Sequence, residues 1–107
     1  MKFDSSMYFI TDSTNYSEEE FLHRAEQALM GGITLLQLRE KDKSTREYMD
    51  LAEKVHTLTK KYNVPLIIDD RIDVALAVGA EGVHLGKEDM PIATARRILG
   101  NDFIIGA

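Results

Sequence analysis

Short apolar runs of strand length alternate along the chain with longer stretches in which apolar residues recur every three or four positions. Met7-Tyr8-Phe9-Ile10-Thr11 predicts a first strand, followed by the turn-rich Asp12-Ser13-Thr14-Asn15. Ser17 with Glu20 has the spacing of a capping box, which opens a helix whose face is Phe21, Leu22, Ala25, Ala28 and Leu29. Gly31-Gly32 stops that helix, because glycine tolerates the left-handed conformation at a C-cap. Ile33 to Leu38 predicts a second strand, and Ser44 with Glu47 repeats the capping box ahead of Tyr48, Leu51, Ala52, Val55, Leu58 and Tyr62. Val64 to Ile68 reads as a third strand with Pro65 near its start. Ile72 to Val78 reads as a short helix ended by Gly79, and Gly82 to Leu85 as a fourth strand. Pro91 suits the first position of a helix through Ile92, Ala95, Ile98 and Leu99 that closes at Gly100. Phe103 to Gly106 begins a fifth strand.

Near-continuous apolar strands between amphipathic helices predict an α/β fold with a parallel sheet covered by helices. Right-handed crossovers place every strand-to-helix loop on one rim. No sequence repeat, linker or low-complexity segment divides the chain, so residues 1–107 are expected to form a single domain. A closed (β/α) barrel of the TIM type takes about 250 residues, so the expectation is an incomplete barrel of about four βα units plus the start of a fifth strand. A short open α/β sandwich is the alternative. Open strand edges invite pairing, so a homodimer or association through those edges is expected.

Composition narrows the function classes. Hydrophobic residues make up 44% and charged residues 29% of the chain, as in ordinary globular domains. Thirteen Lys and Arg against eighteen Asp and Glu give a net charge of −5, which argues against bulk attraction to nucleic acid or to an acidic membrane. With no cysteine, disulfides and thiolate metal sites are excluded. The start lacks the apolar core of a secretory signal, and no apolar run approaches the ~20 residues of a membrane helix. A cytoplasmic protein is expected.

Polar residues collect where strands end. Gln37-Leu38-Arg39-Glu40-Lys41-Asp42 follows the second strand, Asp69-Asp70-Arg71 the third, and Gly86-Lys87-Glu88-Asp89 the fourth. The starts of the strands carry Gly, Val and Pro instead. In barrel enzymes catalytic groups sit on the C-terminal rim. Gln37, Arg39 and Lys41 alternate, so in an extended segment they share a side, with Glu40 and Asp42 turned elsewhere. One amide and two cations suit a polar heterocycle attached to a diphosphate. The alternative is a solvated loop with Arg39–Glu40 or Lys41–Asp42 pairs of little energetic weight. Asp70 and Asp89 are hard carboxylates of the kind Mg²⁺ takes, though each is also placed to cap a following helix. His84, inside the fourth strand, is expected to be a buried, hydrogen-bonded histidine rather than a ligand, and His23 and His56 share no ligand spacing.

Four blocks carry a resemblance: Tyr8-Phe9-Ile10-Thr11-Asp12; Gly31 through Asp42; Pro65-Leu66-Ile67-Ile68-Asp69-Asp70-Arg71; and Ala80-Glu81-Gly82-Val83-His84-Leu85-Gly86. In order and spacing they resemble thiamin phosphate synthase, across the chain from Tyr8 onward. The resemblance implies a TIM-type barrel and a transferase in thiamin biosynthesis. Such an enzyme joins hydroxymethylpyrimidine diphosphate to thiazole phosphate with release of diphosphate, assisted by Mg²⁺. It further implies that Gln37 contacts the pyrimidine and that Arg39 and Lys41 hold the diphosphate and carry the catalytic role. Asp69 would be substrate-binding, and Asp70 and Asp89 would ligate the metal.

Two positions depart from the resemblance, Asp69 where Asn is common and Lys87 where Gln is common. Asp69 adds negative charge beside a diphosphate, which is expected to weaken binding unless the metal or Lys87 compensates. The Gln37, Arg39 and Lys41 series favours the synthase over the related thiazole tautomerases. The length of the chain leads to the expectation of a truncated or proteolysed synthase that lacks the thiazole phosphate pocket and is catalytically poor or inactive as an isolated polypeptide. A half-barrel pairing with itself or a complementary fragment, or a diphosphate-binding module without turnover, are the competing readings.

Overall fold

The computed structural model describes residues 8–11 as backbone, together with 16–41, 43–86, 91–100 and 103–106. Met7, Asp12 to Asn15, Asp42, Lys87, Glu88 and Asp89 lie outside the described residues. In chain order the elements are β1 (Tyr8–Thr11), α1 (Glu18–Met30), β2 (Leu35–Leu38), α2 (Thr45–Lys61), β3 (Leu66–Asp69), α3 (Ile72–Val78), β4 (Gly82–His84), α4 (Ile92–Leu99) and β5 (Ile104–Gly106).

Local chemistry explains most boundaries. At α2 both halves of the capping box form, with Glu47 N–H donating to Ser44 Oγ at 3.2 Å and Ser44 N–H to Glu47 Oε1 at 3.0 Å. At α1 only half forms: Glu20 N–H donates to Ser17 Oγ, while the Glu20 carboxylate lies 3.8 Å from Arg24 Nε. The stop after α1 falls where expected, but Gly32 takes the positive φ of 97° and Gly31 stays right-handed. β3 starts at Leu66, two residues later than the apolar run suggests, and extends through Asp69. Pro65 has no N–H to donate, although its carbonyl still accepts from Leu36 N–H. Pro91 occupies the N-cap of α4, one residue before the helix proper.

All five strands are parallel and follow one another in the order β1-β2-β3-β4-β5. One core cluster joins Leu36, Leu38, Leu66, Ile68 and Val83 from the strands to residues of all four helices, among them Phe21, Tyr48, Val55, Val74 and Ala95. Every helix therefore covers the same face of the sheet. A sandwich with helices on both sides is excluded for the described residues. Sequential parallel strands with helices on one side form a partial (β/α) barrel wall. The alternate strand residues Leu35, Gln37, Ile67, Asp69, Gly82 and His84 belong to the other, inner face. Gly82 is required there, because a Cβ would lie 2.5 Å from Ile104 O and 2.7 Å from Ile67 Cδ1.

Candidate active site

The inner face turns polar at the C-terminal ends of β2, β3 and β4. The last residue of β3 is Asp69, in register with His84 on β4, while Gln37 lies one strand away on β2. Asp69 is 7% exposed, so its charge has little water to solvate it. Three neighbours take over that role. Gln37 Nε2 donates to Asp69 Oδ1 at 2.9 Å, His84 Nδ1 lies 3.2 Å from the same oxygen, and Arg39 Nε lies 3.5 Å from Oδ2. A carboxylate only accepts, so the Gln37 amide must present its NH₂ end to Asp69 and His84 its Nδ1–H. The acceptor end of the Gln37 amide is thereby turned the other way.

Asp70, directly after β3, has φ of +66°, a conformation that costs a non-glycine residue energy. Two bonds hold this turn: Asp70 N–H donates to His84 O at 2.9 Å, and Tyr48 Oη donates to Asp69 O at 3.2 Å. The same hydroxyl donates to Leu38 O at 2.8 Å. Burial first of all pushes the Tyr48 phenol well above its ordinary pKa, with the Glu40 backbone hydrogen bond opposing. Arg71 faces away from the inner face, bonding both carboxylate oxygens of Asp73 and the Thr45 hydroxyl. Its guanidinium holds the Asp73 carboxyl below the usual carboxylate range.

The predicted residues therefore separate into groups. Gln37, Arg39 and Asp69 are brought into contact, as alternation along the second strand requires for the first two. Lys41 follows on the same rim and is exposed. Asp70 stands at the rim but does not cap α3, whose N-cap is Arg71 with no side-chain capping bond. The Arg39–Glu40 pairing is also replaced: Arg39 faces Asp69, and Glu40 lies 3.8 Å from Lys43 Nζ. Asp69 is a strand residue rather than part of the loop, and its charge is met by Gln37, His84 and Arg39. His84 is half-buried rather than buried, and it is hydrogen-bonded as expected.

Sequence reasoning missed Tyr48, read only as a core position. It also missed His56, whose Nε2 lies 2.9 Å from Glu81 Oε2 at the opposite end of the sheet. No signal at helical spacing distinguishes a tyrosine that packs from one whose hydroxyl reaches strand ends. Groups of three or more acidic or histidine side chains able to hold a metal are absent among the described residues.

Comparison with known proteins adds the deciding observation. The family profile described as thiamine monophosphate synthase matches residues 7–107. This chain belongs to the thiamine monophosphate synthase family. It is 53% identical over 105 residues to a thiamine-phosphate synthase of Ruminiclostridium cellulolyticum, covering 98% of this chain and 50% of that protein. It is 52% identical over 103 residues to one of Methanobrevibacter smithii, covering 96% and 49%. A solved thiamine phosphate pyrophosphorylase from Pyrococcus furiosus superposes with a TM-score of 0.83 at 44% identity, over 94% of this chain and 48% of that one. The chain thus spans about half the length of these thiamine monophosphate synthase relatives. The family match agrees with the one-sided helix layer, and no helix among the described residues is long and apolar enough to cross a membrane.

Proposed function

We propose that the rim formed by β2, β3 and β4 binds hydroxymethylpyrimidine diphosphate with Mg²⁺, for transfer of the pyrimidine to thiazole phosphate with release of diphosphate. The observation that carries this reading is the contact of Gln37, Arg39 and Asp69 on one rim of a thiamine monophosphate synthase family member. Gln37, oriented by Asp69, turns its carbonyl toward the bound heterocycle, the polarity that an exocyclic amine N–H needs. Arg39 and Lys41 supply the fork and the point charge for the diphosphate, and stabilise negative charge as it grows on the leaving group.

Mg²⁺ is bound by one or two carboxylates together with phosphate oxygens and water, so a site with few protein ligands fits it. Asp70, a rim carboxylate not engaged in capping, is the described residue that fits, and Asp89 is the second proposed ligand. The metal would neutralise charge on the departing diphosphate. The sheet is bonded on one side only at β1 and β5 among the described residues, which supports self-association through those edges.

The test is an assay with both substrates and Mg²⁺ that follows diphosphate release and coupled product. Product formation supports the transferase reading. Binding of pyrimidine diphosphate without product reduces the chain to a binding module, and the absence of both binding and product in the presence of Mg²⁺ contradicts the proposal.

A further inference from the structure

Among the described residues Tyr48 is the largest fully enclosed side chain of the core, and it lies on the helix side of the sheet with Leu38, Leu66 and Ile68 in the same cluster. Its hydroxyl therefore reaches the strand ends from the face opposite to Gln37 and Asp69. The β2–β3 register ends at the pair Leu38 and Ile68. Beyond it, Tyr48 Oη bridges Leu38 O at 2.8 Å and Asp69 O at 3.2 Å, crossing the gap that the ladder leaves. The next residues along the two strands are Arg39 and Asp70. A single phenolic hydrogen is shared between two acceptors here, with Leu38 O the closer.

We propose that Tyr48 is a positioning residue for this rim: its hydroxyl ties the end of β2 to the end of β3 and sets the separation of Arg39 from Asp70. The functional part of this inference rests on the diphosphate reading of the rim. Tyr48 touches no reacting atom and acts only through two main-chain carbonyls. The Asp70 turn needs such a hold, because a non-glycine residue at positive φ persists only where its surroundings over-determine it. The first turn of α2 supplies a second hold on the same segment, the Thr45 hydroxyl on Arg71. Phenylalanine would fill the same space and leave both buried carbonyls without this donor.

The experiment compares wild type with Tyr48→Phe and with Leu51→Ala, a core truncation on the same helix that touches neither carbonyl. All three are kept folded by an excluded osmolyte where needed. Two readouts are taken: hydrogen exchange of the Asp70 amide, and calorimetric affinity for hydroxymethylpyrimidine diphosphate with Mg²⁺. Tyr48→Phe is expected to accelerate Asp70 exchange beyond what its global stability accounts for, and to weaken binding about tenfold. Leu51→Ala is expected to do neither at equal loss of stability. Equal affinities and unchanged exchange in Tyr48→Phe overturn the proposal, as does a matching change in Leu51→Ala. If wild type binds no pyrimidine diphosphate, the functional reading fails by itself, and exchange alone decides the tie: faster in Tyr48→Phe supports it, unchanged overturns it.

Discussion

Arg39 Nε lies 3.5 Å from Asp69 Oδ2, so a cation proposed to hold diphosphate already faces an anion of its own rim. Arg39 is 48% exposed, and a pair so open to solvent has modest strength. Asp69→Asn keeps an acceptor for Gln37 and His84 and removes the competing charge. Diphosphate affinity is expected to rise about two- to fivefold, measured by calorimetry. A fall in affinity would show that the Asp69 charge organises the site rather than competing for Arg39.

At the other end of the sheet, Glu81 Oε1 accepts from Leu66 N–H at 2.7 Å and Oε2 lies 2.9 Å from His56 Nε2. Glu81→Ala leaves a part-buried strand N–H and a buried imidazole without that partner. Chemical denaturation is expected to show a loss of about 1–3 kcal/mol. Ligand affinity of the folded protein should not change, because this contact lies on the rim opposite to Arg39 and Asp70.

The fold and the site were legible to different depths. Strand and helix order follows from apolar period alone, and Ser44 with Glu47 marks the start of α2 to the residue. The rim location of Gln37 and Arg39 follows from strand direction and alternation. Alternation did not reveal that Asp69 is the hub, because its three partners come from segments up to 32 residues away. Tyr48 was hidden for a related reason: helical spacing places its ring in the core but says nothing about what its hydroxyl meets. Pro65 and Gly32 show the scale of boundary error, one or two residues set by a missing N–H and by which of two glycines turns.

Gly82 tests the packing of the inner face. With a Cβ, this position would lie 2.6 Å from Ile104 Cβ and 2.7 Å from Ile67 Cδ1. Gly82→Ala is expected to destabilise the chain by about 1–3 kcal/mol in a denaturant titration, through separation of β4 from β5. An unchanged midpoint would mean that these strands stand farther apart.

The raised pKa of Tyr48 makes a signed prediction for alkaline pH. The fold favours the neutral phenol, so the stability it contributes is complete below the unfolded value near 10.0 and is lost as pH rises toward the folded value. Thermal unfolding above about pH 10 is expected to fall less steeply in Tyr48→Phe than in wild type. Equal slopes would place the hydroxyl in water.

The most direct measurement is calorimetric titration of hydroxymethylpyrimidine diphosphate, with Mg²⁺ present, into wild type and Arg39→Ala. Wild type is predicted to bind, with affinity reduced about tenfold or more in Arg39→Ala, the loss expected for a charge-assisted contact. Equal affinities, or no binding by wild type, would contradict a diphosphate site on the rim of β2, β3 and β4.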